Sequence, residues 1–249
     1  GKSMTLGCIA GIVRPDKGHI ELNGRVLFDS EKKIDLPPQK RKVGCLFQQY
    51  ALFPWLTVEK NVQFGLKLQG KSKEECEELA NKYLKMVDLE GFAKSYPKEL
   101  SGGMKQRVMI AIALVGSPSI VIADEPTTSL DVTIEAQILD VLKNLQKTLG
   151  TSIILITHDL GVIAKLCDRV LVMYGGKIVE RGSVDEIFYD TAHPYTKGLM
   201  HSIAKLDTAK GHKLQPIEGT PPDLFAPPKG CPFAARCEYC MEICKDMPP

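Results

Sequence analysis

The most informative segment of the chain is residues 100–131, LSGGMKQRVMIAIALVGSPSIVIADEPTTSLD. Within it, residues 120–123 form an apolar run that ends in two carboxylates, Asp124 and Glu125. A buried strand of an α/β sheet brings its C-terminal residues to the edge at which such sheets bind ligands. An Asp at this edge is suited to hold Mg²⁺, and a neighbouring Glu can orient or deprotonate a water molecule that attacks a phosphate. Two acids at an ordinary strand end are the alternative.

The same segment opens with Leu100-Ser101-Gly102-Gly103 at the start of a predicted helix. A hydroxyl group and two glycines allow the backbone to approach an anion closely, and the dipole of the following helix favours negative charge there. A generic helix N-cap would explain Ser101 equally well if the motif stood alone. Ser129-Leu130-Asp131 then precede a second helix, predicted over residues 133–149.

Gly1-Lys2-Ser3 matches the last three positions of the phosphate-binding pattern G-x-x-x-x-G-K-[ST]. In that pattern, backbone N–H groups and a helix N-terminus surround the phosphates, while the Lys and the hydroxyl serve phosphate and Mg²⁺. Three residues recur by chance, so an ordinary helix start is an equal alternative. Gln48 follows a strand predicted over residues 43–47, and His158 follows one over residues 152–157. Taken singly, they could be a loop amide and a satisfied histidine.

Helical and strand patterns alternate along most of the chain. Asn23-Gly24 lies between two short apolar runs and predicts a hairpin. Alternating strands and helices are typical of parallel βαβ units, whose ligand-binding loops gather at the strand ends. Strands are predicted over residues 20–22, 26–28, 43–47, 120–123, 152–157 and 170–173, and helices over residues 2–13, 57–68, 73–88, 133–149, 159–166 and 194–204. We therefore expect an α/β fold.

Composition and charge narrow the class of protein. The chain has 249 residues, of which 44% are hydrophobic and 25% are charged, as in ordinary globular proteins. Its formal net charge of +2 is too small for a nucleic-acid-binding protein held by bulk charge. No apolar run reaches the ~18 residues that a membrane-spanning helix needs, so a membrane role would be peripheral.

In this order and combination, the motifs resemble those of the ATP-binding subunit of ABC (ATP-binding cassette) transporters, across residues 1 to about 205. The resemblance implies a P-loop NTPase fold over residues 1–190, with a helical subdomain over about residues 50–115. It also implies a short Pro- and Cys-rich C-terminal extension over residues 191–249. The first five positions of the phosphate loop, the N-terminal strands and the aromatic residue that stacks on adenine do not precede Gly1. We therefore expect a truncated N-terminus and weak ATP binding by residues 1–249 alone.

The resemblance further implies a site for ATP and Mg²⁺ that two subunits share. In the family, two ATPase subunits meet head to tail and enclose two ATP molecules. Glu125 would then be the catalytic base, His158 would bind the γ-phosphate, and Gln48 would contact Mg²⁺ and the attacking water. The residues implied to hold Mg²⁺ are Ser3, Gln48 and Asp124. Those implied to contact nucleotide are Gly1, Lys2, Ser3, Ser101, Gly102, Gly103 and Asp131, of which Ser101 and Gly103 serve the ATP of the opposite subunit.

Two parts of the chain resemble different branches of the family. Residues 37–70 resemble importers of oxyanions, iron or sugars, whereas the chain from Met104 onward, with His193-Pro194-Tyr195-Thr196 and the Pro-rich tail, resembles oligopeptide, dipeptide and nickel importers. We favour import of oligopeptides or dipeptides, because such a tail is rarer than the sequence around Gln48. Oxyanion, iron or sugar import and a soluble non-transport ABC ATPase are the alternatives.

Import implies a set of partners. They are a second ATPase subunit in a homo- or heterodimer, transmembrane permease subunits and, indirectly, a solute-binding protein. No nucleic acid is expected. The implied location is peripheral, on the cytoplasmic face of the cell membrane.

Four of the eight cysteines, Cys231, Cys237, Cys240 and Cys244, lie within the last nineteen residues. Thiolates at this density suit an iron–sulfur cluster or Zn²⁺, although C-x5-C-x2-C-x3-C is not the standard ferredoxin spacing. Similar cysteines of peptide importers are associated with a [4Fe–4S] cluster, and Cys231, Cys237 and Cys244 match that pattern best, with Cys240 as the weaker fourth candidate. Unmetallated thiols are the alternative. The Pro-rich sequence before the cysteines predicts no core of its own, so a bound cluster or metal would be the only local cross-link of this segment.

Overall fold

The computed structural model describes residues 2–47, 51–128, 130–202, 217–223 and 225–249. The chain divides into two compact units, one formed by Ser3–Asp159 and the other by Leu160–Pro249 with the first two residues. Among the described residues, no helix is both long enough and apolar enough to cross a membrane.

The elements of the first unit follow the predicted alternation of helices and strands. In chain order they are α1 (Lys2–Ala10), β1 (His19–Leu22), β2 (Arg25–Asp29), β3 (Ile34–Asp35), β4 (Val43–Leu46), α2 (Val58–Leu68), α3 (Lys73–Met86), α4 (Gly102–Val115), β5 (Ile120–Asp124), α5 (Val132–Leu149) and β6 (Ser152–Ile156).

A parallel sheet positions the acids at the end of β5. Its strand order is β4-β5-β6, and the register pairs Val43 with Ile120 and Ile120 with Ser152. Because the three strands are parallel and in step, they end at the same edge. The register confirms the predicted parallel arrangement and places Asp124, the last residue of β5, at this edge.

Helices α2, α3 and α4 pack together and form most of the hydrophobic core with the sheet. The N-caps define their starts: the Thr57 side chain accepts from the N–H of Lys60, and Ser72 forms a capping box with Glu75. At Gly44 of β4, a Cβ atom would overlap the carbonyl oxygen of Ala113, so α4 approaches the strand more closely than any larger residue allows.

Helix α1 ends at Ala10 and not at residue 13 as predicted. Gly11 follows with a φ of 80°, the left-handed conformation that commonly ends a helix. The buried guanidinium of Arg41 binds this helix end by donating to two carbonyl oxygens, those of Cys8 at 2.7 Å and Ile9 at 3.0 Å. A cation at the C-terminus of a helix is favourable, because the last carbonyls have no partner within the helix.

The hairpin of β1 and β2 turns at Asn23-Gly24, as predicted. Both turn residues have positive φ, 52° and 75°, which is the requirement of a type I′ turn. β3 adds a short third strand to this antiparallel sheet.

The second unit begins with a hairpin. Its elements are α6 (Leu160–Leu166), β7 (Arg169–Tyr174), β8 (Lys177–Ser183), α7 (Val184–Tyr189), α8 (Pro194–His201) and α9 (Ile243–Asp246). β8 and α7 were not predicted, although two local signals indicate them: the Gly175-Gly176 pair, with φ of 55° and 81°, and the capping box of Ser183 and Glu186. Residues 203–204 of the predicted helix 194–204 lie outside the described residues.

The tail packs into a hydrophobic core that it shares with the hairpin of β7 and β8, so a bound metal is not its only cross-link. Phe233 is buried against Tyr174 and Tyr195, with ring centroids 5.3 and 5.5 Å away. Arg236 donates to the hydroxyl of Tyr174 at 2.7 Å and to the carbonyl oxygens of Ile217 and Glu218, each at 2.6 Å.

Candidate functional site

Glu125 occupies a strained backbone conformation at the edge of the parallel sheet. Its φ is 47°, in the left-handed region that non-glycine residues seldom adopt. The Glu125 N–H donates to the carbonyl oxygen of Ile156 at 3.0 Å, which ties it to the end of β6. Backbone strain of this kind persists only where neighbouring structure enforces it, and it is concentrated at functional sites.

The carboxylate of Glu125 lies beside the imidazole of His158. The distance from Glu125 Oε1 to His158 Nδ1 is 3.3 Å. The pair forms because His158 follows β6 and Glu125 follows β5, two neighbouring parallel strands with coincident ends. The side chain of Glu125 is 26% exposed and that of His158 is 76% exposed, so both are accessible to a ligand at this edge.

Other residues predicted for the ATP and Mg²⁺ site lie at element ends. Asp124 is the partly exposed last residue of β5, and the exposed Lys2 and Ser3 begin α1. A carboxylate and a hydroxyl are ligands that suit Mg²⁺, and a helix N-terminus suits phosphate. Gly1 and Gln48 lie outside the described residues.

The start of α4, which carries the LSGG motif, contacts the start of α5. Gly103 is buried, and a Cβ atom there would lie 2.6 Å from Cγ2 of Ile134 in α5. Ser101 accepts from the N–H of Met104 at 3.3 Å, and Asp131 accepts from the N–H of Ile134 at 2.9 Å. Both side chains are thus N-caps, as the generic alternative for Ser101 predicts, and both are exposed.

Thr127 and Thr128 form hydrogen bonds at this site that the sequence analysis did not predict. The Thr128 hydroxyl donates to Glu125 Oε2 at 3.1 Å, and the Thr127 hydroxyl donates to Glu135 Oε1 at 2.7 Å. The only sequence signal is their position directly after Pro126 in the turn that begins at Glu125.

Three of the tail cysteines line one cavity. Cys231, Cys237 and Cys244 border a space of about 510 Å³, whereas Cys240 is exposed and is not part of its lining. Desolvation and the neighbouring thiols of Cys244 and Cys237 raise the pKa of Cys240. Within the described part of the chain, however, no three or more His, Cys, Asp or Glu side chains are arranged to hold a metal ion. The four cysteines are therefore not gathered around one point, as the ligands of a single metal ion would be.

Comparisons with known proteins agree with both halves of the structure. The chain matches the ABC transporter family over residues 1–128, and the family described as oligopeptide/dipeptide transporter, C-terminal region, over residues 179–244. The dipeptide transport ATP-binding protein DppD of Bacillus subtilis is 45% identical, over 100% of this chain and 77% of its own length. The oligopeptide transport ATP-binding protein OppD of the same organism is 46% identical, over 98% of this chain and 71% of its own length.

A solved structure supports the fold. The dimeric post-hydrolysis structure of the ATP-binding cassette MJ0796, bound to ADP and Pi, is 32% identical, with a TM-score of 0.63. The match covers 74% of this chain and 81% of that chain. Fold, motif order and relatives thus agree, and the chain belongs to the ABC transporter family as one of its ATP-binding proteins.

Proposed function

We propose that this protein hydrolyses ATP to drive the import of oligopeptides or dipeptides through an ABC transporter. The match of residues 179–244 to the C-terminal region of oligopeptide/dipeptide transporters carries this substrate class. The names of the relatives, dipeptide and oligopeptide transport proteins, support it as well. Oxyanion, iron or sugar import rests on the sequence of residues 37–70 alone. We also propose that the nucleotide-binding domain comprises residues 1–190 and the C-terminal extension residues 191–249.

The geometry at the sheet edge supports Glu125 as the catalytic base. Its half-buried carboxylate is held beside His158 and one residue beyond Asp124. Phosphoryl transfer depends mainly on positioning and on electrostatic stabilisation, so a fixed carboxylate at this place can orient the attacking water and accept its proton. His158 would donate a hydrogen bond to the γ-phosphate.

The remaining predicted site residues, which would bind Mg²⁺ and nucleotide, lie at or near the ends of helices and strands. Mg²⁺ would be held by Ser3, Gln48 and Asp124, and when bound it would neutralise charge on the phosphates. Lys2, with Gly1 and the start of α1, would bind the phosphates. Ser101 and Gly103 would contact the ATP of a second subunit, and Gly102 and Asp131 would also contact nucleotide. The exposed side chains of Ser101 and Asp131, at two helix starts that meet at Gly103, support this.

The proposed partners are permease subunits, with the protein peripheral on the cytoplasmic face of the membrane. Phe53, Trp55 and Phe64 support a protein contact, because their rings cluster at 4.6–5.5 Å and Trp55 is 70% exposed. Buried Asn61 holds this loop by accepting from the N–H of Phe53 at 2.8 Å and donating to the carbonyl of Leu56 at 3.0 Å.

Reconstituted transport tests the substrate class. The protein would be assembled in vesicles with its proposed permease and solute-binding partners. We expect ATP-dependent uptake of labelled di- to pentapeptides and no uptake of molybdate, sulfate or maltose. Uptake of an oxyanion or sugar without peptide uptake would overturn the peptide assignment while leaving the ATPase in place.

We further propose that the tail cysteines hold a [4Fe–4S] cluster. A single Zn²⁺ ion needs four donors at about 2.3 Å from one point, whereas each thiolate of a cluster binds a different iron and can lie elsewhere around a cavity. The cavity bordered by Cys231, Cys237 and Cys244 suits the second arrangement better.

Metal analysis of anaerobically purified protein tests the cluster. We expect brown protein with iron and sulfide in equal amounts, and loss of the iron in Cys237→Ser. Because Phe233 and Arg236 hold the tail independently, this variant should keep its fold. Colourless protein whose tail thiols all react with an alkylating reagent would contradict the proposal, and zinc without iron would replace the cluster by a mononuclear site.

A further inference from the structure

The turn after β5 holds Glu125 through Thr128. The backbone N–H of Thr128 donates to the carbonyl oxygen of Glu125 at 3.2 Å, and its hydroxyl donates to Glu125 Oε2 at 3.1 Å. The same residue therefore closes the turn that keeps Glu125 at a φ of 47° and binds the end of its side chain.

The two oxygens of Glu125 have different neighbours. Oε1 lies 3.3 Å from His158 Nδ1, and Oε2 accepts from Thr128. An ionised carboxylate has about four lone-pair positions, and one contact on each of its two oxygens restricts the orientation of its plane. The orientation of the carboxylate is set by the combination of both contacts.

Thr127 anchors the turn from the other side. Its hydroxyl donates to Glu135 Oε1 on α5 at 2.7 Å, within the same compact unit. Because the turn is tied to α5, Thr128 is a fixed donor and not a freely moving one. The two neighbouring threonines thus have different roles: Thr127 ties the turn to α5, and Thr128 binds the carboxylate of Glu125.

We propose that Thr128 is a positioning residue for ATP hydrolysis, acting through the carboxylate of Glu125. The proposal rests on the role of Glu125 proposed above. A general base must lie within hydrogen-bond reach of the water that it deprotonates, and a displacement of about 1 Å can cost ~10²-fold in rate. We expect ATP binding not to depend on this contact, because the Thr128 hydroxyl donates to the carboxylate of Glu125.

Steady-state kinetics of Thr128→Val and Thr128→Ser in the full natural protein test the proposal. Valine has nearly the shape of threonine without the hydroxyl, so we expect kcat to fall about tenfold while KM for ATP changes less than about twofold. Serine retains the hydroxyl and should restore most of kcat. Thr148→Val is the matched control, because it removes the same group from the exposed face of α5 and should leave both constants unchanged.

Three results would overturn the proposal. They are an unchanged kcat in Thr128→Val, a failure of serine to restore it, or a rise in KM that accounts for the whole loss. The thermal midpoints of all variants would reveal a loss of kcat that is caused by unfolding. In that case, kcat of each variant would follow its thermal midpoint and not the presence of the hydroxyl group.

A double-mutant comparison separates this inference from the role of Glu125. If Thr128 acts through Glu125, adding Thr128→Val to Glu125→Gln should not lower turnover further. Independent losses in the double variant would overturn the coupling. Normal turnover in Glu125→Gln alone would instead remove Glu125 as the base, which is a failure of the proposed function.

Discussion

At the scale of single residues, Glu125 shows why the candidate site is only partly visible in the sequence. Its position after an apolar strand is local information, and the pattern predicts an acid at the sheet edge. Its left-handed φ of 47° depends on Ile156 and Thr128, and its pairing with His158 depends on the register of β5 and β6. Strain of about 1–3 kcal/mol is stored at such a residue, and no sequence pattern reveals it.

Replacing Glu125 by Gln tests its role as the base. The amide keeps the size of the side chain but cannot accept a proton from water, so we expect turnover to fall ~10²–10⁴-fold. ATP binding, measured by calorimetry on the full natural protein, should survive. Glu77→Gln on α3 makes the same chemical change at an exposed position and should hydrolyse ATP normally. Near-normal hydrolysis by Glu125→Gln would exclude the residue as the base.

A second residue-scale prediction compares two glycines with similar backbone conformations. Gly11 and Gly24 have φ of 80° and 75°, so alanine at either position incurs about 1–2 kcal/mol of left-handed strain. At Gly11 a Cβ atom would also lie 2.6 Å from Nε of buried Arg41, whereas nothing lies within 4 Å at Gly24. We therefore expect Gly11→Ala to lower the free energy of unfolding by about 1–3 kcal/mol more than Gly24→Ala does. Equal losses of unfolding free energy in the two variants, measured by urea unfolding, would show that the Arg41 side chain moves aside at little cost.

At the scale of elements, the first hairpin carries a pH-dependent contact. His19 Nδ1 lies 3.0 Å from Asp29 Oδ2, and this bond, followed by that to Glu21, raises the pKa of His19 above 6.5. The N–H of Lys32, followed by His19, lowers the pKa of Asp29 below 3.8. The stabilisation from His19 is complete below pH 6.5 and is lost as the pH rises through the raised pKa. That from Asp29 is present above pH 3.8 and is lost as the pH falls through the lowered pKa.

Thermal unfolding across pH tests this pair. We expect the wild-type midpoint to decline as the pH rises from about 6.5 toward 8, with a smaller decline in His19→Gln, because the histidine contribution is absent throughout. His201→Gln removes an exposed histidine of α8 and should keep the wild-type pH dependence. Parallel curves for wild type and His19→Gln would contradict the assignment.

Elements could be predicted where the sequence signal is local, but contacts between residues far apart in the sequence could not. Residues 43–47 and 152–157 are recognisable as strands from composition alone, and Asn23-Gly24 specifies its turn. The tail was misjudged, because Phe233 packs on Tyr174 and Tyr195, which lie far away in the sequence. Proline content describes the backbone of that segment but says nothing about such contacts.

At the scale of the whole molecule, the nucleotide motifs of the first unit fall into two groups. Asp124, Glu125 and His158 lie at the edge of the parallel sheet, and Ser101 and Asp131 cap two helices that meet at Gly103. In a head-to-tail pair of subunits, the first group of one chain would act on the same ATP as the second group of the other. One complete site then needs one intact group from each subunit.

Mixing two inactive variants tests this division of the site. Ser101→Asp keeps a good N-cap for α4, while its negative charge repels the γ-phosphate of the opposite subunit. Glu125→Gln removes the base from its own site. Each variant alone should be inactive, but a mixed dimer contains one site with wild-type Glu125 facing wild-type Ser101. After random exchange of subunits in equal amounts, about a quarter of the sites are intact, so we expect a corresponding fraction of wild-type hydrolysis. A mixture as inactive as its components, at concentrations where subunits exchange, would show that two copies of this chain do not complete each other's sites.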